Sequence, residues 1–274
     1  MISTGLMQGS MRGVSPHFVI DSKDGCGGYV DRALWISWYD LPEAGCDAYL
    51  SWAHGTYMPG LVKRPGFLYA AHFKSVVTPG VPPGGGRLLH TTDAKVPAGN
   101  HYIMIFGAED AHAFARPTPR KLHAELGRDD QRMLAMRKGE RVNIFTEEAR
   151  ADGFDARRRE PKAALSPCIQ LGSFQAGPDE GDEDDLLAWY AQCRMPAMTR
   201  LPGCVGVRKT VSVSGWAKHS VLYEFVSLAE RNRHFPDHEK GHPEMEAWTD
   251  RLVRKLLHAP GSPNVAERIA FALK

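Results

Sequence analysis

Short, strongly apolar runs separated by proline and glycine dominate this 274-residue chain. The run ALWISWY at 33–39 carries Trp, Ile and Tyr and stops at Asp40-Leu41-Pro42, which predicts a buried strand. FLYAAHFKSVV at 67–77, HYIMIFGA at 101–108 and ERVNIFTEEA at 140–149 predict three more. Between the first two strands, AYLSWAHGTYMPGLVKR has helical character, with Asp47 placed to cap it and Pro59 placed to kink or break it. A weaker helical stretch, interrupted by Pro117 and Pro119, reaches about Lys138. Segment 78–99 is dense in Pro and Gly and predicts a long loop, a length usually associated with function or disorder and compatible with a lid.

The second half repeats this order. CIQLGSF at 168–174 predicts a strand, and the acidic GPDEGDEDD leads into a helix whose positive end suits carboxylates. A helix at 186–201 carries Pro196, strands follow at 205–215 and 219–227, then an amphipathic helix at 242–259 and a closing strand at 265–273. The repeat is visible residue by residue. WAHGTYMPGLVKRPG (52–66) and WYAQCRMPAMTRLPG (189–203) align without a gap, matching Trp52 with Trp189, Met58-Pro59 with Met195-Pro196 and Pro65-Gly66 with Pro202-Gly203. Glu140-Arg141-Val142 also lines up with Glu267-Arg268-Ile269, and His101 with His219. Such internal repetition fixes the fold reading before any other feature. Each half reads βαββαβ, the ferredoxin-like arrangement. The expected domains are an N-terminal arm at 1–30, with a short strand at 18–20, a first domain at 31–150, a linker at 151–165 and a second domain at 166–274. An antiparallel sheet with helices on one face needs a cover for the other. With two copies in one chain, each sheet is the natural cover for its partner.

These motifs resemble the dimeric α+β barrel proteins, and within them the EthD-like branch. In that family the first helix often carries a Trp, then a His-x-Pro pattern, then a Pro-Gly end. The resemblance implies an α+β fold of two tandem ferredoxin-like domains whose antiparallel sheets pair into one barrel. The position two before the proline, often His in the family, is Tyr57 in one copy and Arg194 in the other, so no catalytic histidine carries over.

Composition narrows the partners. A hydrophobic fraction of 43%, a charged fraction of 24% and a net charge of +2 describe a soluble globular chain without the basic excess of a nucleic-acid binder. Five widely spaced cysteines, without a CxxC pair, suit reduced thiols rather than a disulfide frame or zinc site. There is neither an apolar run of about 18 residues nor a signal-peptide pattern, so the expectation is a cytoplasmic protein with no membrane partner.

Candidate chemistry comes from several places. In VGVRKTVSVSG, Arg208, Thr210, Ser212 and Ser214 share one strand face, flanked by Gln170 and Glu224 on neighbouring strands. If that face looks into a barrel, an Arg208–Glu224 pair could anchor a polar substrate; otherwise it is a solvated or self-satisfied sheet face. His54 lies three residues before Tyr57 on one helical face, and His72, His101 and His219 lie on or at strands. The histidines of 234–242 invite a metal reading, but Pro236 and Gly241 argue for a surface loop, and no metal is expected. Trp52, Trp189 and Tyr190 read as core anchors. No GxGxxG, Walker, GxSxG or HExxH motif occurs, and no cofactor is expected.

The family resemblance implies acid–base chemistry on a hydrophobic aromatic, polyketide-like or lactone-like small molecule inside the barrel: isomerisation, cyclisation, dehydration or cofactor-free oxygenation. The expected catalytic residues are His54, Tyr57 and His219. The expected substrate contacts are Arg208, Glu224, Arg194, Gln170, His72 and His101. The alternatives are a non-catalytic binding or dimerisation module and a haem protein, with a homodimer left open. A cavity favours the enzyme, and a barrel filled by side chains the interaction module.

Overall fold

The computed structural model describes residues 31–76, 87–160 and 164–274. The expected arm and its short strand, and much of the Pro/Gly loop, lie outside the described residues. Among the described residues ten strands form: β1 (Ala33–Asp40), β2 (Phe67–Ser75), β3 (Leu89–His90), β4 (Tyr102–Ala108), β5 (Lys138–Asp152), β6 (Cys168–Gln175), β7 (Cys204–Ser214), β8 (His219–Phe225), β9 (Leu257–His258) and β10 (Asn264–Leu273). The first half orders its strands β5-β1-β4-β2 and the second β7-β8-β6-β10, each the ferredoxin-like order. Antiparallel seams β5–β7 and β2–β10 close the two sheets into one eight-stranded barrel, the α+β barrel expected from the sequence. β9 pairs with β6, and β3 adds to β9 in parallel, a pairing too short to announce itself in the sequence.

The strands read as unbroken apolar runs because both faces are buried. On β1, Leu34, Ile36 and Trp38 point into the barrel, while Ala33, Trp35 and Tyr39 point outward against the helices. Inside, Trp38, Phe73, Phe145, Ile105 and Ile169 interdigitate with almost no exposed surface. The barrel interior is a core, and the expectation of a ligand within it is not met.

The repeated helix has an unexpected form. α1 (Cys46–Trp52) continues through a π-helical turn (Ala53–Tyr57) into α2 (Met58–Val62). The second half does the same: α5 (Asp182–Trp189), a π-turn (Tyr190–Arg194), then α6 (Met195–Met198). Pro59 and Pro196 lack an N–H, and their rings crowd the carbonyl four residues back. The helix answers by widening one turn ahead of each proline instead of breaking. It begins at Cys46, with Gly45 as its N-cap, so Asp47 lies in the first turn rather than at the cap. Gly66 and Gly203 adopt φ of 79° and 82°, and an added Cβ would stand 2.7 Å from Ala113 and 2.8 Å from Glu230. That requirement for glycine explains the repeated Pro-Gly. The second crossovers hold α3 (Pro119–Glu125) and α4 (Arg128–Leu134), then α7 (Leu228–His234) and α8 (Pro243–Val253). No described helix is long and apolar enough to cross a membrane.

Sheet register corrects two alignments. Tyr39 pairs with Tyr102 and Phe174 with His219, so His219 corresponds to Tyr102, and His101 stands exposed just before its strand, 3.2 Å from Asp40. Ala33 pairs with Thr146 and Cys168 with Glu267, so Glu267 matches Thr146 and not Glu140.

Polar groups close one end of the barrel. Asp31 accepts from Arg208, from the Tyr69 hydroxyl at 2.6 Å and from Arg150 at 3.1 Å. Glu224 accepts from Arg159 and from the Ser166 amide, each at 2.8 Å. The anticipated Arg208–Glu224 pair therefore does not form; each charge has another partner. The chain crossing between halves supplies Arg159, Ser166 and the fully buried Leu165, and β5 runs on through Asp152, into the stretch expected to be linker. Burial alone would raise the Asp31 carboxyl, but Arg208, Arg150 and the Tyr69 bond outweigh it and hold it below its ordinary value.

Asp31→Asn should strand the buried Arg208 guanidinium and cost about 3 kcal/mol in urea unfolding at pH 7. A lowered carboxyl stabilises above its unfolded value and loses that contribution as pH falls through its folded value. The gap between wild type and variant should therefore close below about pH 4.

Candidate functional site

Matched positions in the two halves explain where space opens. Outward on β1 stand Trp35, Ser37 and Tyr39; the corresponding positions on β6 are Gln170, Gly172 and Phe174. Trp35 packs on Phe106 at 4.9 Å, on Phe114 at 6.1 Å and on the His123 ring at 5.6 Å, filling the layer between sheet and helices. In the second half Gln170 and Gly172 replace that bulk, and a cavity of about 720 Å³ opens between β6, β8 and the helices. Phe174, Trp189, Tyr190, Tyr223 and Phe235 form its aromatic walls. The segment entering β3 reaches over from the first half. Arg87 and Leu88 line the rim, the Thr91 amide donates to the His258 carbonyl at 2.8 Å, and His90 Nε2 donates to the Ser262 carbonyl at 2.6 Å.

One polar cluster is set into the wall by the π-turn. Arg194 lies over the Trp189 ring at 4.5 Å, pairs with Glu239 at 2.8 Å and donates through Nη1 to His238 Nε2. Because Nε2 accepts, the His238 proton sits on Nδ1, which donates to the Phe235 carbonyl at 2.5 Å. Burial first, then Arg194, pushes its pKa down to about 3. Trp189 Nε1 donates to Thr249 Oγ1, which donates to Glu239, each at 3.0 Å. Three groups on the lining residues lack partners: Arg194 Nε, His258 Nδ1 and Asn264 Oδ1 are buried without a hydrogen bond.

The first half makes the same tethers with other residues. Tyr57 Oη donates to His123 Nε2 at 2.7 Å, and Trp52 Nε1 donates to Asp130 at 2.7 Å. In both halves, then, the repeated Trp reaches the last helix of the second crossover, and the residue before Met-Pro reaches a histidine of that crossover. The repeated motif builds a tertiary latch.

Beside this latch runs a hydrogen-bonded chain. Arg137 Nε donates to the Tyr49 hydroxyl at 2.7 Å, Tyr49 to Tyr39 at 3.0 Å, and Tyr39 to His72 Nε2 at 2.8 Å; His72 Nδ1 then donates to His54 Nε2 at 2.8 Å. Each direction follows from the one before, because arginine only donates. Burial drives the Tyr39 hydroxyl well up and the His72 ring well down, so both stay neutral. His54, Tyr57 and His72 are thus gathered into one packed layer, and none of them lines the cavity.

The other expected site residues divide. Gln170 and Arg194 line the cavity, and His101 lies at its edge. His219 is stacked behind Phe174 with ring centroids 5.9 Å apart, accepts from Lys209 at 2.9 Å and donates to Glu183 at 2.8 Å. Arg208 and Glu224 belong to the barrel end. Sequence reading missed Arg231, Glu239, Thr249 and His258 as site residues. It also put His238 in a surface loop, whereas only 7% of that side chain is exposed. The available signal was the histidine cluster at 234–242, whose proline and glycine fold one histidine inward. Among the described residues, no group of three or more His, Cys, Asp and Glu is arranged to hold a metal ion.

By sequence, the chain matches no family model and no curated protein. By fold it is similar to several solved structures. A candidate monooxygenase from Lactobacillus acidophilus superposes with a TM-score of 0.52 at 11% identity, covering 89% of this chain and 97% of that one. A candidate monooxygenase from Fusobacterium nucleatum gives 0.55 at 9%, with 90% and 96% covered. An anthrone oxidase-like protein gives 0.58 at 11%, with 89% and 94% covered. At such identities the likeness establishes the α+β barrel fold.

The neutral histidines make a pH prediction. Burial lowers His123 and His258 to about 4 and His238 to about 3. Each binds its proton in the unfolded chain below about pH 6.5 but in the folded chain only near its lowered value. Stability should therefore fall as pH drops from 7 to 4.5, and the His238 ring carbons should show no titration by NMR between pH 5 and 8.

Proposed function

We propose that this chain is a small-molecule enzyme whose substrate, a flat fused-ring phenol or ketone, binds in the second-half cavity and reacts by proton abstraction followed by oxygenation without a cofactor. The observation that carries the reading is the hollow left where Gln170 and Gly172 stand in place of Trp35 and Ser37, walled by aromatics and lined by Arg194 and His258. Apolar walls with a few convergent polar groups are what small-molecule sites are made of. The names of the similar structures, monooxygenase and anthrone oxidase-like, support the same substrate class. The Trp and Met-Pro motif supports the EthD-like branch of the fold.

In this reading His258, a neutral imidazole, takes the ring C–H proton, and Arg194 steadies the enolate oxygen that results. The enolate charge beside His258 raises its affinity for that proton. For an anthrone the balance closes: anthrone and dioxygen give anthraquinone and water. The haem alternative needs an imidazole nitrogen free at the wall. His238 has both nitrogens engaged and His258 Nδ1 is enclosed by protein, so the visible spectrum of the purified protein separates that reading from this one.

Anthrone should be consumed aerobically with matched oxygen uptake, and Arg194→Met should lower the rate about 100-fold. Binding without turnover would favour the non-catalytic module, and neither binding nor turnover would contradict the proposal.

Gly172→Leu should fill the cavity. Its nearest neighbours would be Val221 Cγ1 at 3.2 Å and the Phe174 ring at 3.6 Å, both side chains and not backbone, so the melting temperature should move by a few degrees while anthrone turnover is lost.

A further inference from the structure

The charges around the cavity do not balance. Its lining includes three arginines, Arg87, Arg194 and Arg231, against one carboxylate, Glu239, which leaves +2 from these four groups. Two of the arginines have acidic partners: Arg194 pairs with Glu239 at 2.8 Å and exposed Arg87 approaches Asp250 at 3.7 Å. Arg231 has none within 4 Å among the described residues. Its Nε and Nη2 donate to Gln170 Oε1 at 3.0 and 2.5 Å, and Nη1 donates to Asn232 Oδ1 at 3.0 Å. The guanidinium also lies 5.2 Å from the centre of the Phe235 ring.

This is a costly arrangement for an empty wall. A half-buried cation satisfied only by neutral amides has lost hydration without gaining a counter-charge. The protein nevertheless fixes its orientation. Gln170 takes two of its donors, and α7, whose N-cap Ser227 accepts from the Glu230 amide at 3.2 Å, carries it to the cavity edge. A planar guanidinium held by two neutral amides and an aromatic face is pre-organised to meet an anionic oxygen.

We infer that Arg231 is an anion-reading residue and that the substrate is an aromatic acid: a fused-ring body against Phe174, Trp189 and Tyr223, with a carboxylate directed to Arg231. This rests on the cavity being the substrate site and adds the chemical class of what enters it. The carboxylate supplies the missing counter-charge, and Gln170 holds the guanidinium in place rather than competing for it. The surplus positive charge also favours the encounter of an anionic ligand with the cavity mouth.

The test compares anthracene-9-carboxylate with neutral anthracene-9-methanol, followed by ligand fluorescence and calorimetry on the full-length protein. Wild type should bind the acid at least about tenfold more tightly than the alcohol, as expected for a charge-assisted hydrogen bond in a partly dry site. Arg231→Gln should bring the ratio close to one, with far-UV circular dichroism and the urea midpoint showing that the variant is folded. Arg231→Lys should restore part of the preference. Equal binding of both probes by wild type, or a preference that survives Arg231→Gln, would overturn the anion-reading role and leave the cavity reading standing. If neither probe binds wild type, the cavity reading fails and takes this inference with it.

Discussion

A four-stranded ferredoxin-like sheet carries two apolar faces, and its own helices cover only one of them. Closure of the barrel through β5–β7 and β2–β10 covers the other, and the remaining architecture follows. Once Trp38, Phe73, Phe145 and Ile169 have filled the interior, no room remains there for a ligand. Any site must then form on the outer face, between sheet and helices. The buried charges at the barrel end are part of the same solution. Arg208 and Glu224 face inward because of strand alternation, and Asp31 and Arg159 neutralise them there.

Duplication gave two such outer layers, and they have diverged. The first is solid: Trp35 fills it, and the chain from Arg137 through Tyr49, Tyr39 and His72 to His54 satisfies every polar group it passes. The second is hollow, with smaller residues at the same sheet positions and a latch made of Arg194 and His238 rather than Tyr57 and His123. One half gives up the space that a ligand needs and keeps the packing, and the other does the reverse.

The fold was largely legible in the sequence, because strands buried on both faces read as continuous apolar runs and because rare residues mark the repeat. The proline was legible as a disturbance but not as a π-turn, since only the packed helix decides between breaking and widening. The site was much less legible. Trp35 and Gln170 become comparable only once sheet register is known, and the sequence alignments of His101 with His219 and of Glu140 with Glu267 do not survive that register. Helical spacing put His54 and Tyr57 on one face, but the helix widens between them, and Tyr57 turns to His123 while His54 turns to His72. Arg231 gave no signal, because its meaning lies in the absence of a nearby carboxylate among the described residues.

The central claim is that ligand-handling belongs to the outer layer of the second half. A crystal structure of the protein grown with anthracene-9-carboxylate tests it directly. The account predicts the ring system between β6, β8 and the α5–α6 helix, with the barrel interior and the His54 layer unchanged. Density for the ring inside the barrel or beside His54, or a second-half layer closed over its own side chains, would contradict it.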